Sequence, residues 1–238
     1  MTLPPIGEYG EKNFDDTIET MIELACELSI ELIISDISEW MLPYFNMLED
    51  LGYTYNHEEG LSDYIYQKAD FVDVLKEQKI RYAYNHFVSK QEPEIIEVCQ
   101  ADQDEIIEFT KDNWCGNEPC SFCTYGCTAD AIYEIVSVLD KIEANGIKVY
   151  SNKMLIGIAI VSIEKDQLFF QFKFVLHGIR GINEFIHKEC VERFGSTISI
   201  INYTEDMDKP GLRSFKQRLA PYTLAHKYEL TKLKVEER

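Results

Sequence analysis

The sequence has no apolar run approaching the roughly 20 residues that cross a bilayer. Its longest runs, Leu155-Ile156 and Ile158 to Val161 around Gly157, stop far short, so no membrane-spanning helix is expected. The opening residues, Met-Thr-Leu-Pro-Pro, lack both the positive charge and the apolar core of a secretory signal. The chain is therefore expected in the cytoplasm and its 7 cysteines in reducing surroundings, where disulfides are not the default. Basic residues are scarce: 23 Lys+Arg stand against 42 Asp+Glu, a formal net charge of −19. What is present is ordinary globular material, 45% hydrophobic and 27% charged, which excludes disordered, collagen-like and coiled-coil classes. At 238 residues the chain is long for one domain and natural for two of about 100 to 120 residues.

The shortage of positive charge is local. Residues 1–114 hold 26 acids and 7 bases, whereas residues 115–238 hold 16 of each. Nucleic acid is repelled by the first half, and an anionic substrate has to be met by the second. Within residues 206–238 the balance reverses, with 8 bases and 5 acids.

Apolar residues at helical spacing (Ile18, Met21, Ile22, Ala25, Leu28) predict a first helix after Asp15-Asp16. Residues 31–34 read as a short strand. Ile37 to Leu51 reads as a second helix, ended by Gly52 and kinked or started at Pro43. Residues 53–57 and 62–67 read as strands joined by the turn Glu58-Glu59-Gly60. A helix over 69–78, a mixed stretch over 80–93, a strand over 94–98 and a helix over 102–114 complete the first half. The second half predicts a helix over 132–142 capped by Asn145-Gly146, then strands over 147–150, 155–163 and 168–176. A helix over 181–194 with Ile182, Phe185, Ile186 and Cys190 inward comes next. A strand over 198–202, a helix over 210–219 and a strand over 222–230 close the chain. Both halves repeat the order helix, short strand, helix, strand, with poor residue identity, which points to two related α/β units.

Asn202, Asp206, Gly211-Leu212-Arg213, Lys216, Pro221 and Lys227-Tyr228 form a pattern that resembles the C-terminal domain of phosphatidylglycerol lysyltransferases and related bacterial proteins of unknown function. Asp63-Tyr64-Ile65-Tyr66, followed by Phe71 and Leu75, and Trp114-Cys115 resemble further stretches of that family. The resemblance implies an α/β (α+β) fold of two tandem GNAT-like domains with mixed sheets. One would span residues 1–100, truncated at its N-terminus, and one residues 101–238, carrying the signature. It also implies transfer of an aminoacyl or acyl group from an acyl-CoA or other small acyl or aminoacyl donor. Where the family has a basic Lys-Arg-Asn stretch, this sequence reads Ala83-Tyr84-Asn85, and the family's Glu-Lys pair appears as Phe172-Lys173.

Lys209, Arg213 and Lys216 fall on one helical stripe that can hold a donor phosphate or carboxylate, or else form a solvated face or one paired with acids. Asp206 and Asp208 precede Pro210, where carboxylates cap backbone N–H groups. The substrate-binding candidates are Arg213 and Lys216 for an anion, Lys173 and Asn202 lining the cleft, and Asp206 orienting the segment; no complete catalytic set is assigned. The loop Leu176 to Asn183 lacks the glycine spacing of acetyl-CoA binders. There, Gly178 or Gly181 can admit a ligand, and His177 is either a base or an ordinary loop histidine. Cys115, Cys120, Cys123 and Cys127 can hold zinc or an iron–sulfur cluster, or remain free thiols. Cys26, Cys99 and Cys190 read as packing residues.

The leading expectation is an acyl- or aminoacyltransferase acting on an amine or hydroxyl acceptor. The alternatives are a catalytically degenerate binding protein on the same fold and a metal module on the cysteine loop. A tRNA donor is disfavoured by the charge, and a homodimer through an exposed sheet edge is expected.

Overall fold

In the computed structural model, which describes residues 2–4, 11–57, 59–114, 128–142 and 144–232, most elements follow the apolar periodicity of the sequence. In chain order they are α1 (Glu11–Glu27), β1 (Ile34–Ser38), α2 (Asn46–Glu49), β2 (Tyr53–His57), β3 (Asp63–Gln67), α3 (Lys68–Leu75), α4 (Gln78–Gln91), β4 (Glu94–Glu97) and α5 (Gln103–Trp114). Then come α6 (Thr128–Ser137), β5 (Ala144–Ser151), β6 (Met154–Glu164), β7 (Gln167–Val175), α7 (Ile182–Phe194), β8 (Ile200–Asn202), α8 (Pro210–Arg218), β9 (Thr223–Ala225) and β10 (Lys227–Lys232). No helix among the described residues is long and apolar enough to cross a membrane.

The chain divides into two units that interleave along the sequence. One comprises residues 1–64, 205–214 and 223–238. Its sheet runs β1-β10-β2, antiparallel throughout, with Leu230 at the centre opposite Ile34 on one side and Tyr55 on the other. Phe14 and Ile18 of α1 close its core over Ile34, Ile37, Phe45 and Leu48. Pro43 sits inside a 3-10 turn, Glu39–Phe45, and the α-helical turn starts only after it, because proline removes one donor of the α-helical ladder. The strands flanking the turn at residues 58–60 do not pair with each other: β2 joins β10, and β3 joins β8.

The other unit comprises residues 65–204 and 215–222. Its strands follow the order β4-β5-β6-β7-β8-β3; β4 to β7 are antiparallel neighbours, β7 and β8 run parallel, and β8 is antiparallel to β3. A parallel neighbour needs a crossover, and α7 supplies it. Ile156 and Ile158 to Val161 are buried, so this stretch of β6 is covered on both faces. Ile106, Phe109, Ile132 and Val136 of α5 and α6 pack on Ile158 and Ile160, while on the other face Ile182 and Ile186 of α7 approach Gly157.

Three local expectations are corrected. Asn145-Gly146 lies inside β5 and caps no helix; α6 ends at Ser137 and a 3-10 turn, Leu139–Lys141, follows. The mixed stretch 80–93 is mostly α4, which buries Ala83 and Phe87. Cys26 and Cys99 are exposed: the one follows buried Ala25 around α1, and the other precedes a 3-10 turn where its N–H donates to Asp102 Oδ2 at 2.8 Å. Cys190 is buried, as read. The Cys115 to Cys127 loop lies outside the described residues, and among those described no three metal-ligating side chains gather.

Candidate functional site

Lys173 stands on β7 opposite Ala159 of β6, His187 is buried on the inner face of α7, Tyr203 follows β8, and Phe215 and Lys216 lie toward the C-terminal end of α8. These elements bring the side chains together. Lys173 Nζ is 3.2 Å from His187 Nε2 and lies over two rings, 4.9 Å from the centroid of Phe215 and 5.3 Å from that of Tyr203. The Tyr203 hydroxyl also meets His187 Nε2. Phe170, Phe71 and Phe215 enclose the imidazole.

Such an enclosure disfavours charge. Loss of hydration pushes Lys173 down from 10.5 to about 7, and the nearby Lys216 charge pushes the same way, against Glu184. Burial likewise holds His187 well below 6.5, with Lys173 and Lys216 adding to the effect, so the imidazole is neutral. Burial raises Tyr203 well above 10, and it stays a proton donor. His187 Nδ1 has no hydrogen-bond partner among the described residues. An unpaired buried polar atom costs about 1–3 kcal/mol, an expense that sites of function tolerate more often than plain cores do. Lys173 as a whole residue is partly exposed, while its amine lies within this enclosure.

Lys216 is 2% exposed, and its ammonium donates to the carbonyls of Tyr203 at 2.5 Å and Thr204 at 3.1 Å. Asn202, also buried, accepts the Thr204 N–H on Oδ1 at 2.8 Å. Thr204 needs this support: its φ is +51°, a costly conformation for a β-branched residue.

In the other unit Asp206 is 1% exposed and fully engaged. Oδ2 accepts from the Tyr64 hydroxyl at 2.7 Å and Arg213 Nε at 2.7 Å; Oδ1 accepts from the Asp208 N–H at 2.9 Å and Arg213 Nη2 at 3.1 Å. Burial alone would raise this carboxyl, but Arg213, Tyr64 and the Asp208 N–H outweigh it and hold Asp206 below its ordinary value. Burial and the bond to Asp206 push Tyr64 up to about 12. Arg213 also reaches Asp208 Oδ1 at 2.6 Å, and both carboxylates raise its already high proton affinity.

The five residues assigned from sequence thus fall into two groups. Lys173, Lys216 and Asn202 gather around Tyr203, and Asp206 and Arg213 form a forked ion pair. The stripe of Lys209, Arg213 and Lys216 is not one surface, since Lys216 points into the interior. His177 is exposed. Gly178 has open space around it, whereas a Cβ at Gly181 would overlap the Ala83 carbonyl oxygen, so Gly181 serves the approach of α4 to α7. Sequence reasoning missed His187 and Tyr203. His187 lies three residues before Cys190 on the inward stripe of α7, and a histidine inside an apolar stripe is the signal that was there to find.

Antiparallel strands β4 to β7, with a helix crossing to a parallel β8, define the GNAT fold class, and a tandem GNAT protein from the clavulanic acid biosynthesis pathway shares it. That structure matches with a TM-score of 0.54 at 9% identity, over 92% of this chain and 70% of the other. Within this class the chain belongs to the family described as phosphatidylglycerol lysyltransferase, C-terminal, whose model matches residues 1–231. A conserved protein of unknown function from Bacteroides thetaiotaomicron has a TM-score of 0.78 and 18% identity, covering 97% of this chain and 78% of that one. The L-PGS structure from Bacillus licheniformis has a TM-score of 0.70 and 15% identity, covering 99% and 77%. No curated protein matches in sequence. The chain is thus acyl- or aminoacyltransferase-like by family and fold.

Proposed function

We propose that the protein transfers an activated acyl or aminoacyl group to an amine or hydroxyl acceptor, with Lys173 taking the acceptor's proton. The observation that carries the proposal is the enclosed Lys173 amine beside His187 and two aromatic rings, its proton affinity lowered to about 7. An amine that is about half neutral at pH 7 can act as a general base there, which an ordinary lysine cannot. In the transfer step the acceptor nitrogen or oxygen attacks the donor carbonyl carbon. The new bond forms as the bond to the carrier breaks, the carrier leaves with the electron pair, and the acceptor's proton passes to Lys173 Nζ. The fixed charge of Lys216, close enough to depress Lys173, favours the negative charge that develops on the carbonyl oxygen.

Asn202 and Lys216 hold the turn at 202–204, and Asp206 and Arg213 hold the segment that follows. Within its own unit, Arg213 could take an anion only by releasing Asp208, whose side chain is 65% exposed. The excess of acids over bases in residues 1–114 favours a small donor over tRNA. The test is incubation with acyl-CoAs, aminoacyl-adenylate analogues and aminoacyl-tRNA, each with amine and hydroxyl acceptors, with products read by mass spectrometry. Lys173→Met is expected to slow transfer by about 10²- to 10⁴-fold with its circular dichroism unchanged. Absence of product from every donor, or transfer by Lys173→Met at the wild-type rate, overturns the proposal.

A further inference from the structure

A groove of about 230 Å3 lies between α4 and α7, walled by Arg81 and Asn85 on one side and Glu184 and Lys188 on the other, with Leu75 and Ile80 at its apolar end. A smaller hollow of about 110 Å3 continues it along α7. Residues four apart on a helix share a face, so each wall presents two polar side chains together. The walls are held firmly: the Phe87 and Phe185 rings meet at 4.8 Å between centroids, and Gly181 leaves room for no side chain against Ala83.

The charges in the groove are of two kinds and are unequally occupied. Lys188 is paired with Glu192 at 2.9 Å, and Lys76, at the groove's mouth, with Asp73 at 2.7 Å. Among the described residues the Arg81 guanidinium and the Glu184 carboxylate have no hydrogen-bond or ion-pair partner, and they do not pair with each other. Arg81 is set in unusual surroundings, because α4 carries Lys79, Arg81 and Lys90 and no acid, in a half of the chain with 26 acids and 7 bases. A free guanidinium with an amide beside it is suited to a carboxylate; a free carboxylate across the groove is suited to an ammonium; the apolar end takes a hydrocarbon group.

We propose that this groove binds a small zwitterion of the α-amino-acid class, its carboxylate on Arg81 and Asn85, its ammonium toward Glu184 and its side chain against Leu75 and Ile80. Glu184 also lies close enough to Lys173 to favour its protonated form. Resting on the transferase reading, the bound amino group, once it has given up its extra proton, is the acceptor for transfer.

Calorimetry with L-leucine, isoamylamine and 4-methylpentanoate separates the contributions, since the amine lacks the carboxylate and the acid lacks the ammonium. L-leucine is expected to bind saturably and each analogue about tenfold or more weakly, the loss of one charge-assisted hydrogen bond. Arg81→Ala should abolish the preference for L-leucine over isoamylamine, and Glu184→Gln the preference over 4-methylpentanoate. No saturable binding of L-leucine, equal binding of the three ligands, or an Arg81→Ala variant that keeps its preference would overturn the proposal. Binding without turnover would leave the groove standing and count against the transferase reading; turnover on other acceptors with no leucine binding would do the reverse.

Discussion

Lys173 imposes a pH dependence whose sign follows from its environment. In the unfolded chain it binds a proton up to its ordinary 10.5, whereas in the folded protein it releases it near 7. Below pH 7 both states are protonated and the folded state carries the full cost of the enclosed charge; between about 7 and 10.5 that cost fades. Lys173→Met should accordingly melt above the wild type at pH 6, with the gap closing by pH 10, in thermal scans across that range. Asp206 has the opposite sign. Its carboxyl is held below 3.8, so its contribution is complete above that value and is lost as acid protonates it in the folded state. Arg213→Ala should therefore lower the melting temperature most at neutral pH and least near pH 3. Arg213→Lys should not restore it, because lysine cannot reproduce the two-pronged contact with Asp206. At this scale much was legible. Lys173, Asn202, Asp206, Arg213 and Lys216 stood out by their place in a recognised pattern. What each touches was not legible, because periodicity places Lys216 on a stripe without saying that α8 turns it toward the Tyr203 and Thr204 carbonyls.

Elements were read best where one face is apolar and the ends are marked. The spacing of Ile182, Phe185, Ile186 and Cys190 found α7 within a residue of its limits. Residues 80–93 were harder, because Tyr82, Asn85 and His86, poor helix formers, interrupt a stripe of Ile80, Ala83, Tyr84 and Phe87 that has helical spacing. Asn145-Gly146 misled because the same dipeptide that ends helices also fits a strand where backbones crowd: a Cβ on Gly146 would lie 2.9 Å from the Ala159 carbonyl oxygen. The contact of α4 with α7 yields a paired prediction. Both Gly178 and Gly181 have positive φ, but only Gly181 faces backbone. Gly178→Ala should cost about 1 kcal/mol from conformation alone, and Gly181→Ala roughly 2 kcal/mol or more, since α4 must move as well. Urea unfolding measures both, and equal losses would contradict the assignment of Gly181 to packing.

The whole molecule shows why partners in a sheet are harder to read than the strands themselves. β10, among the last residues described, is the centre of the sheet flanked by β1 and β2. Nothing in the alternation of Lys227 to Lys232 names its neighbours, because pairing over such separations is decided by the packed core and not by the strand. The family could be read because its pattern is dense over residues 202–228. Charge, too, acts at this scale. With a net charge of −19, uncharged tRNA should bind no better than non-specifically, with a Kd of roughly 0.1 mM or weaker at 0.15 M salt. Filter binding over a salt series checks this, and tight binding would bring tRNA back as the donor carrier. The account rests above all on an amine that gives up its proton near pH 7, which can be observed without knowing the donor. In protein labelled with carbon-13 at the lysine ε position, the resonance absent from Lys173→Met should titrate with a midpoint of about 7; a midpoint at the ordinary 10.5 would contradict the role given to Lys173.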